Sequence, residues 1–297
     1  VFQIFWNLGA APLDRLADQR RSEALVVTNR LVSDRPHRYP PPMNRHIAYP
    51  DIDIPIKQWW ADHYDHVFIA PSPFFRLRSA NRGETSDAQY DPVMHYADRP
   101  DDFDDQVKRF GEPIAWHTIH RAVAPDVPKA EFYRAIWLLS CLGFDERANI
   151  PLQKKIDAYC EANRIYLPDG DIIPEIVHPI IKSFLHPFDG LDVVMYDEFR
   201  EHSAPLSLSS LGADVPPVTI PYGNGGIALR AIHVPNPGIL ITTALDSTEA
   251  LIAMTEEAYA LSDPAKFFEC EPVDETTYCD WLNPKDFFKR KADRPAT

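Results

Sequence analysis

The residues best suited to chemistry concentrate in one stretch of the chain, from Pro36 to Arg121. This stretch holds seven of the eleven histidines, mixed with aspartates and arginines. The seven are His37, His46, His63, His66, His95, His117 and His120. Much proline is interspersed, and proline restricts long helices and central strands. We therefore expect ordered but irregular backbone that carries reactive side chains, which is how many active sites are built.

A cationic strand face is the first candidate site. The alternation in residues 74–78 favours a β-strand, whose side chains point alternately to opposite faces. Arg76 and Arg78 would then share one face, where two guanidinium groups could hold a carboxylate or a phosphate. Glu84 or His95 would act as the acid or base if burial moved its pKa toward neutrality. The alternative is a solvated strand face with surface ion pairs.

His117 and His120 are second partners in this acid–base interpretation. Trp59 and Trp116 lie beside histidines in the sequence and could line a pocket for a flat or aromatic substrate. Tryptophan is also a common core residue, so packing in the interior is the alternative for both.

Two His-x-x-His pairs suggest a different chemistry. His63 and His66 form one pair, and His117 and His120 form the other. Residues three apart on a helix lie on the same face, so each pair could present two imidazoles to one ion. With a nearby aspartate, this set would suit zinc or non-haem iron. Hydrogen-bonded or surface histidines are the alternative.

No cofactor motif accompanies these residues. The glycine cluster Gly223–Gly226 lacks the lysine and Ser/Thr of a P-loop, and a hairpin turn explains it. The Gly-x-Ser-x-Gly elbow of serine hydrolases is missing from the sequence. The aspartate-rich run Asp101–Asp105 fits the acidic start of a helix. We therefore expect no cofactor, apart from zinc or iron in the metal alternative.

Together these features favour an enzyme that uses histidine and carboxylate acid–base chemistry on a small polar metabolite, with a carboxylated or aromatic one favoured. Lyase, isomerase or cyclising condensation chemistry would fit, because none of them requires a cofactor motif. Two alternatives stay open. One is a metal-dependent enzyme, and the other is a non-enzymatic, immunity-type protein whose acidic surface binds a basic partner.

The charge of the chain limits its partners. The net charge is −14, which argues against nucleic acid or an anionic membrane as the main partner, because both are themselves negative. No run approaches the roughly 18 consecutive apolar residues that a membrane span needs. The four cysteines show no Cys-x-x-Cys spacing and are expected to be buried free thiols. We expect a cytoplasmic protein with a small-molecule substrate, and a homo-oligomer is compatible with this.

The elements around the reactive segment indicate an α+β fold, with helices packed on a mainly antiparallel sheet. We expect one compact domain over residues 1–297. Its parts are an irregular segment 36–121, a helical middle 126–187, a β-meander plus helix 192–262 and a C-terminal tail 284–297.

Prolines and turn residues set the expected boundaries. Helices should begin near Pro128, Pro151 and Pro174, with a kink at Pro179 in the third. Strands are expected over 192–196, 218–220, 227–233 and 239–243. Asn224-Gly225 and Asn236-Pro237-Gly238 are the turn signals between the last three, which should form a meander. A final helix is expected from about Thr248, with Leu251, Met254, Ala258 and Leu261 on its buried side.

Overall fold

The computed structural model describes residues 44–78, 101–141 and 147–283. All of these residues belong to one compact unit, Asn44–Thr297. The expected tail 284–297 and the first 43 residues lie outside the described ranges. A single domain over residues 1–297 therefore stays a prediction.

Seven α-helices and eleven strands make up the described part of the chain. The helices are α1 (Ile56–Trp59), α2 (Phe103–Phe110), α3 (Trp116–Val123), α4 (Lys129–Ser140), α5 (Ile150–Asn163), α6 (His178–Leu185) and α7 (Glu256–Leu261). The strands are β1 (His66–Pro71), β2 (Phe74–Leu77), β3 (Gly111–Ile114), β4 (Val194–Tyr196), β5 (Ser203–Pro205), β6 (Thr219–Tyr222), β7 (Gly225–Ala228), β8 (Ala231–Val234), β9 (Ile239–Thr242), β10 (Glu249–Met254) and β11 (Glu271–Pro272).

Seven of these strands form one antiparallel sheet in the order β11-β1-β10-β9-β8-β4-β5. Strands β2 and β3 form a separate pair, and so do β6 and β7. The C-terminal meander β8-β9-β10 is followed by helix α7, so the expected α+β class with a meander and a helix is confirmed.

The sheet is apolar on both faces. Along β10, Leu251 and Ala253 pack into one hydrophobic cluster with α1, while Ile252 and Met254 pack into another with α6. Successive side chains of a strand point to opposite faces, so burial of both faces produces a continuous apolar run. A third cluster lies among α3, α4 and α5 and holds the large side chains of Phe74 and Trp116.

The expected final helix from Thr248 is wrong in its first half. Residues Glu249–Met254 are strand β10, and α7 begins only after Thr255, whose hydroxyl accepts from the backbone N–H of Ala258. Leu251 and Met254 have helical spacing, but this spacing does not identify a helix here. A strand that is buried on both faces is apolar at nearly every position, so its sequence also fits a helical pattern.

The other differences concern the third helix and the meander. Pro179 does not kink a helix, because a 3-10 turn, Glu175–Val177, precedes it and α6 begins at His178, so Pro179 occupies the first helical turn. The expected strand 227–233 divides into β7 and β8. The Asn224-Gly225 signal does mark a hairpin, but its turn is one residue earlier, at Gly223-Asn224, with Gly223 at a φ of 57°. This hairpin is separate from the main sheet.

The segment 36–121 is more regular than expected where it is described. Its described parts contain short helices and strands, including β1, which lies inside the main sheet between β10 and β11. Residues 57–70 contain no proline, so this strand pairs on both edges. The run Asp101–Asp105 does start a helix, with Asp104 and Asp105 in the first turn of α2.

None of the described helices combines the length and the apolar composition needed to cross a bilayer.

Candidate active site

The carboxylate of Glu269 lies at the N-terminus of helix α3 and organises the candidate site. Its two oxygens accept the backbone N–H of Trp116 at 2.5 Å and the backbone N–H of His117 at 3.0 Å. The first N–H groups of a helix have no partner within the helix, and the helix dipole favours negative charge there. Glu269 therefore caps α3 from a distant part of the chain.

The same carboxylate holds the imidazole of His117. Nδ1 of His117 lies 2.9 Å from Oε1 of Glu269, and this hydrogen bond is partly open to solvent, with the histidine side chain 56% exposed and that of the glutamate 22% exposed. A carboxylate can only accept this bond, so Nδ1 donates and Nε2 carries the lone pair of the neutral ring. The ring is thus held in one tautomer and one orientation.

Tyr133 fixes Glu269 from the other side. Its hydroxyl donates to Oε1 at 2.9 Å, and burial together with the glutamate charge raises the pKa of Tyr133 well above its ordinary value. Lys129, one turn earlier on α4, lies 5.0 Å from the centre of the Tyr133 ring and pairs with Glu271. Glu269 is therefore a fixed acceptor for two backbone and two side-chain donors.

A second carboxylate, Glu249, lies buried nearby at the start of β10. It is 5% exposed, and its oxygens accept from the indole N–H of Trp281 at 3.1 Å and from the backbone N–H of Thr248 at 3.1 Å. Burial raises the pKa of Glu249 to about 7. The Trp281 ring lies 6.5 Å from that of Tyr133, so the two carboxylates contact neighbouring aromatic rings. A carboxyl group that titrates near neutrality is a recurrent feature of functional sites.

Of the four expected catalytic residues, the structure places His117 in this site. His120 lies one turn further along α3, but its Nε2 bonds the carbonyl of Val127 at 2.8 Å and its ring stacks on Phe132. The His120 side chain therefore stabilises the C-terminal end of α3 and does not contact Glu269. Glu84 and His95 lie outside the described residues.

Trp116 and Trp59 are both packed against protein. Trp116 is 1% exposed, donates from its indole N–H to the carbonyl of Ser72 at 2.6 Å and packs against Phe74. It is therefore a core residue, as the alternative interpretation held. Trp59 is half-buried and bonds the carbonyl of Ala48 at 3.4 Å.

Arg76 and Arg78 are both exposed at the far end of the β2-β3 pair from His117. Arg76 donates to the carbonyl of Asn163 at 3.3 Å, and Arg78 pairs with Glu112 at 3.3 Å. The structure brings neither guanidinium to the Glu269 site. An anion-binding role for them stays a prediction.

The two His-x-x-His pairs do not converge. Only His117 and His120 lie on a helix, whereas His66 begins strand β1 and bonds Glu256 at 2.7 Å, and His63 lies in the turn before it. Over residues 44–78, 101–141 and 147–283, no three His, Cys, Asp or Glu side chains are grouped so that they could hold a metal ion. The structure therefore does not identify these four histidines as metal ligands.

Sequence reasoning missed Glu269, Tyr133 and Glu249. Glu269 follows two phenylalanines in a loop and has no local partner that would signal its role. Tyr133 lies on the apolar face of α4, where an aromatic residue looks like ordinary core. Glu249 did carry a signal, since a carboxylate at the edge of an apolar run must be paired or protonated if it is buried.

Comparison with known proteins gives the chain a family. No curated protein and no solved structure matches it. A family model described as a protein of unknown function, DUF2711, matches residues 52–283, which is most of the chain and includes His117, Glu249 and Glu269. The chain therefore belongs to the DUF2711 family.

Proposed function

We propose that this chain is an acid–base enzyme that acts on a small polar metabolite, with His117 as the group that moves a proton and Glu269 as the residue that orients it. One observation carries the proposal, namely the 2.9 Å bond between Nδ1 of His117 and Oε1 of Glu269. A carboxylate bonded to one imidazole nitrogen leaves the other as the base and stabilises the imidazolium that forms when it accepts a proton.

The surroundings of Glu269 support this assignment. Its oxygens are fixed by the N-terminus of α3 and by the Tyr133 hydroxyl, so the carboxylate does not need to reorganise when His117 gains a proton. The His117 side chain is 56% exposed, so a solute could reach it from the surface. Lyase, isomerase and cyclising condensation reactions remain the proposed classes, since each depends on proton transfer at a positioned base.

The remaining expectations are part of the same proposal. A carboxylated or aromatic substrate, a cytoplasmic location and a homo-oligomer would each be consistent with this chemistry. Binding of an anionic group by the exposed arginines Arg76 and Arg78 is a separate proposal, since both lie away from His117.

The test compares His117→Gln with a matched control, His186→Gln, because His186 is an exposed histidine on a 3-10 turn distant in sequence. Wild type and both variants are incubated with mixtures of small carboxylated and aromatic metabolites, and consumption is followed by mass spectrometry. Loss of a general base typically costs 10²–10⁴-fold, so we expect at least about 100-fold slower turnover in His117→Gln and unchanged turnover in the control. Melting temperatures should agree between the variants.

Either of two results would contradict the proposal. One is turnover that persists in His117→Gln. The other is a wild-type protein that turns over none of the metabolites in either chemical class.

A further inference from the structure

The backbone of residues 45–48 is held to the rest of the protein by side chains. Four consecutive carbonyls accept hydrogen bonds from side-chain donors that belong to other segments. These bonds are Trp60 Nε1 to Arg45 O at 3.3 Å, Tyr64 OH to His46 O at 2.9 Å, Arg200 Nε to Ile47 O at 2.9 Å and Trp59 Nε1 to Ala48 O at 3.4 Å. Because these bonds come from side chains, the segment could detach from the protein without breaking the backbone hydrogen bonds between strands.

The imidazole of His46 lies between two others. Its ring centre is 5.7 Å from that of His63 and 5.4 Å from that of His233, with tilted planes in both cases. His63 is exposed in the turn after α1, whereas His233 is 6% exposed on β8 of the main sheet. Three imidazoles from three different parts of the chain thus meet where the segment contacts the sheet.

The charges around this cluster oppose protonation of the imidazoles. The described neighbours that shift the pKa of His46 and His233, beyond burial itself, are other histidines. Arg200 reaches the segment directly, and its own charge is offset by Asp197 and Glu198.

Two arginines and two tyrosines also lie near the cluster. Arg45 lies on the segment with its guanidinium over Trp59, and Arg230 lies beside Arg200 ahead of β8. Tyr64 bonds the segment, and Tyr196 on β4 lies beside Tyr64 and has a raised pKa because it is buried. An imidazolium here would be desolvated beside like charge.

We propose that residues 45–48 form an acid-released latch, in which protonation of His46 and His233 detaches the segment from the sheet. This inference is independent of the proposed catalysis, because none of its residues belongs to the His117 site. His233 lies on strand β8 and His46 lies on the segment, so the two elements repel each other when both imidazoles become cations. The segment then separates from the sheet, and water replaces its four side-chain hydrogen bonds.

The lowered pKa values of the two histidines determine whether the latch opens at low or at high pH. Burial lowers the pKa of His233 from its ordinary 6.5 to about 4, and burial together with His63 lowers that of His46. A group whose pKa is lower in the docked state favours docking above its ordinary pKa and opposes it as the pH falls below that value. The latch is therefore closed at neutral pH and opens between about pH 6.5 and pH 4.

Hydrogen–deuterium exchange of the full chain tests this. Exchange would be measured at about pH 7.5 and about pH 5 and corrected for the intrinsic pH dependence of exchange, comparing peptides that cover 44–50 with peptides that cover 239–254. We expect the protection of 44–50 to fall by roughly 30-fold, because pH 5 lies about 1.5 units below the ordinary pKa of 6.5 and above the lowered pKa of His233, about 4. The strand peptides should keep their protection.

Two variants and a control complete the experiment. His46→Gln and His233→Gln should each reduce the pH-dependent loss of protection, and His186→Gln should retain it in full. His46 is partly exposed, so its variant keeps the test valid even if His233→Gln does not fold. Protection of 44–50 that does not change with pH, an equal loss in the strand peptides, or an undiminished loss in His46→Gln would each overturn the proposal.

Discussion

Nδ1 of His117 lies 2.9 Å from Oε1 of Glu269, although 152 positions of sequence separate the two residues. The same carboxylate accepts the backbone N–H groups at the start of helix α3, so it fixes the helix and the imidazole together. Stability and the proposed chemistry therefore depend on one side chain.

Replacing Glu269 should destabilise the protein. Glu269→Ala removes an acceptor from four donors, and we expect a loss of about 2 kcal/mol in the free energy of unfolding, measured by urea denaturation. Glu271→Ala is the matched control two positions away, because Glu271 is exposed and pairs only across the surface with Lys129. The control should change stability by at most about 1 kcal/mol. Equal losses in the two variants would count against a capping role for Glu269.

Glu249 should make the protein less stable as the pH rises. Its pKa is raised from 4.5 to about 7, so the folded state holds a proton that the unfolded state releases. The stabilisation is complete below the unfolded pKa and is lost as the pH rises through the folded one, by about 3 kcal/mol in total. Glu249→Gln should therefore gain stability relative to wild type between about pH 5 and pH 8, as measured by urea unfolding. Parallel curves for the two proteins would refute a raised pKa.

His178 should act with the opposite sign. It is 0% exposed, its Nε2 N–H donates to the carbonyl of Ile173 at 3.2 Å, and its pKa is lowered from 6.5 to about 4 by burial and by Lys108. Its stabilisation is complete above pH 6.5 and is lost as the pH falls toward 4, by about 3 kcal/mol. His178→Gln should flatten the acid limb of the stability curve, as chemical denaturation over that range would show. His186→Gln should leave this limb unchanged, and a wild-type limb retained in His178→Gln would disprove the assignment.

Tryptophan substitutions separate a core role from a pocket role. Trp116→Phe replaces a buried indole by a smaller phenyl ring and removes the hydrogen bond to the carbonyl of Ser72, so we expect a loss of about 2–3 kcal/mol in unfolding free energy. Trp59→Phe, at a half-buried position, should lose less than half as much. The thermal or urea midpoint measures both, and a Trp116 variant as stable as wild type would show that the indole is not essential to the core.

Local chemistry determined much of the secondary structure. Gly223-Asn224 forms the two-residue β6-β7 turn, where Gly223 adopts a φ of 57° that suits glycine. Pro128 and Pro151 mark the starts of α4 and α5, because proline fits a first helical turn. These features depend on a few neighbouring residues, and such patterns can be read without knowledge of the fold.

Strand β10 shows where local pattern fails. The run Glu249–Met254 fits a helix face as well as a strand, and only the neighbouring strands β1 and β9 and the two hydrophobic clusters decide between them. Whether this run forms a helix or a strand depends on the surfaces that pack against its apolar residues, and those surfaces come from remote parts of the chain.

The sequence by itself determined the α+β class, the main turns and the acidic character of the chain, and it named His117 as a candidate site residue. Only the tertiary structure decided that His117 is oriented by Glu269, that Trp116 is core and that Arg76 and Arg78 lie away from both. The physical reason is that a hydrogen bond requires two groups within about 3 Å, and separation along the chain carries no information about that distance until the sheet and helices have packed.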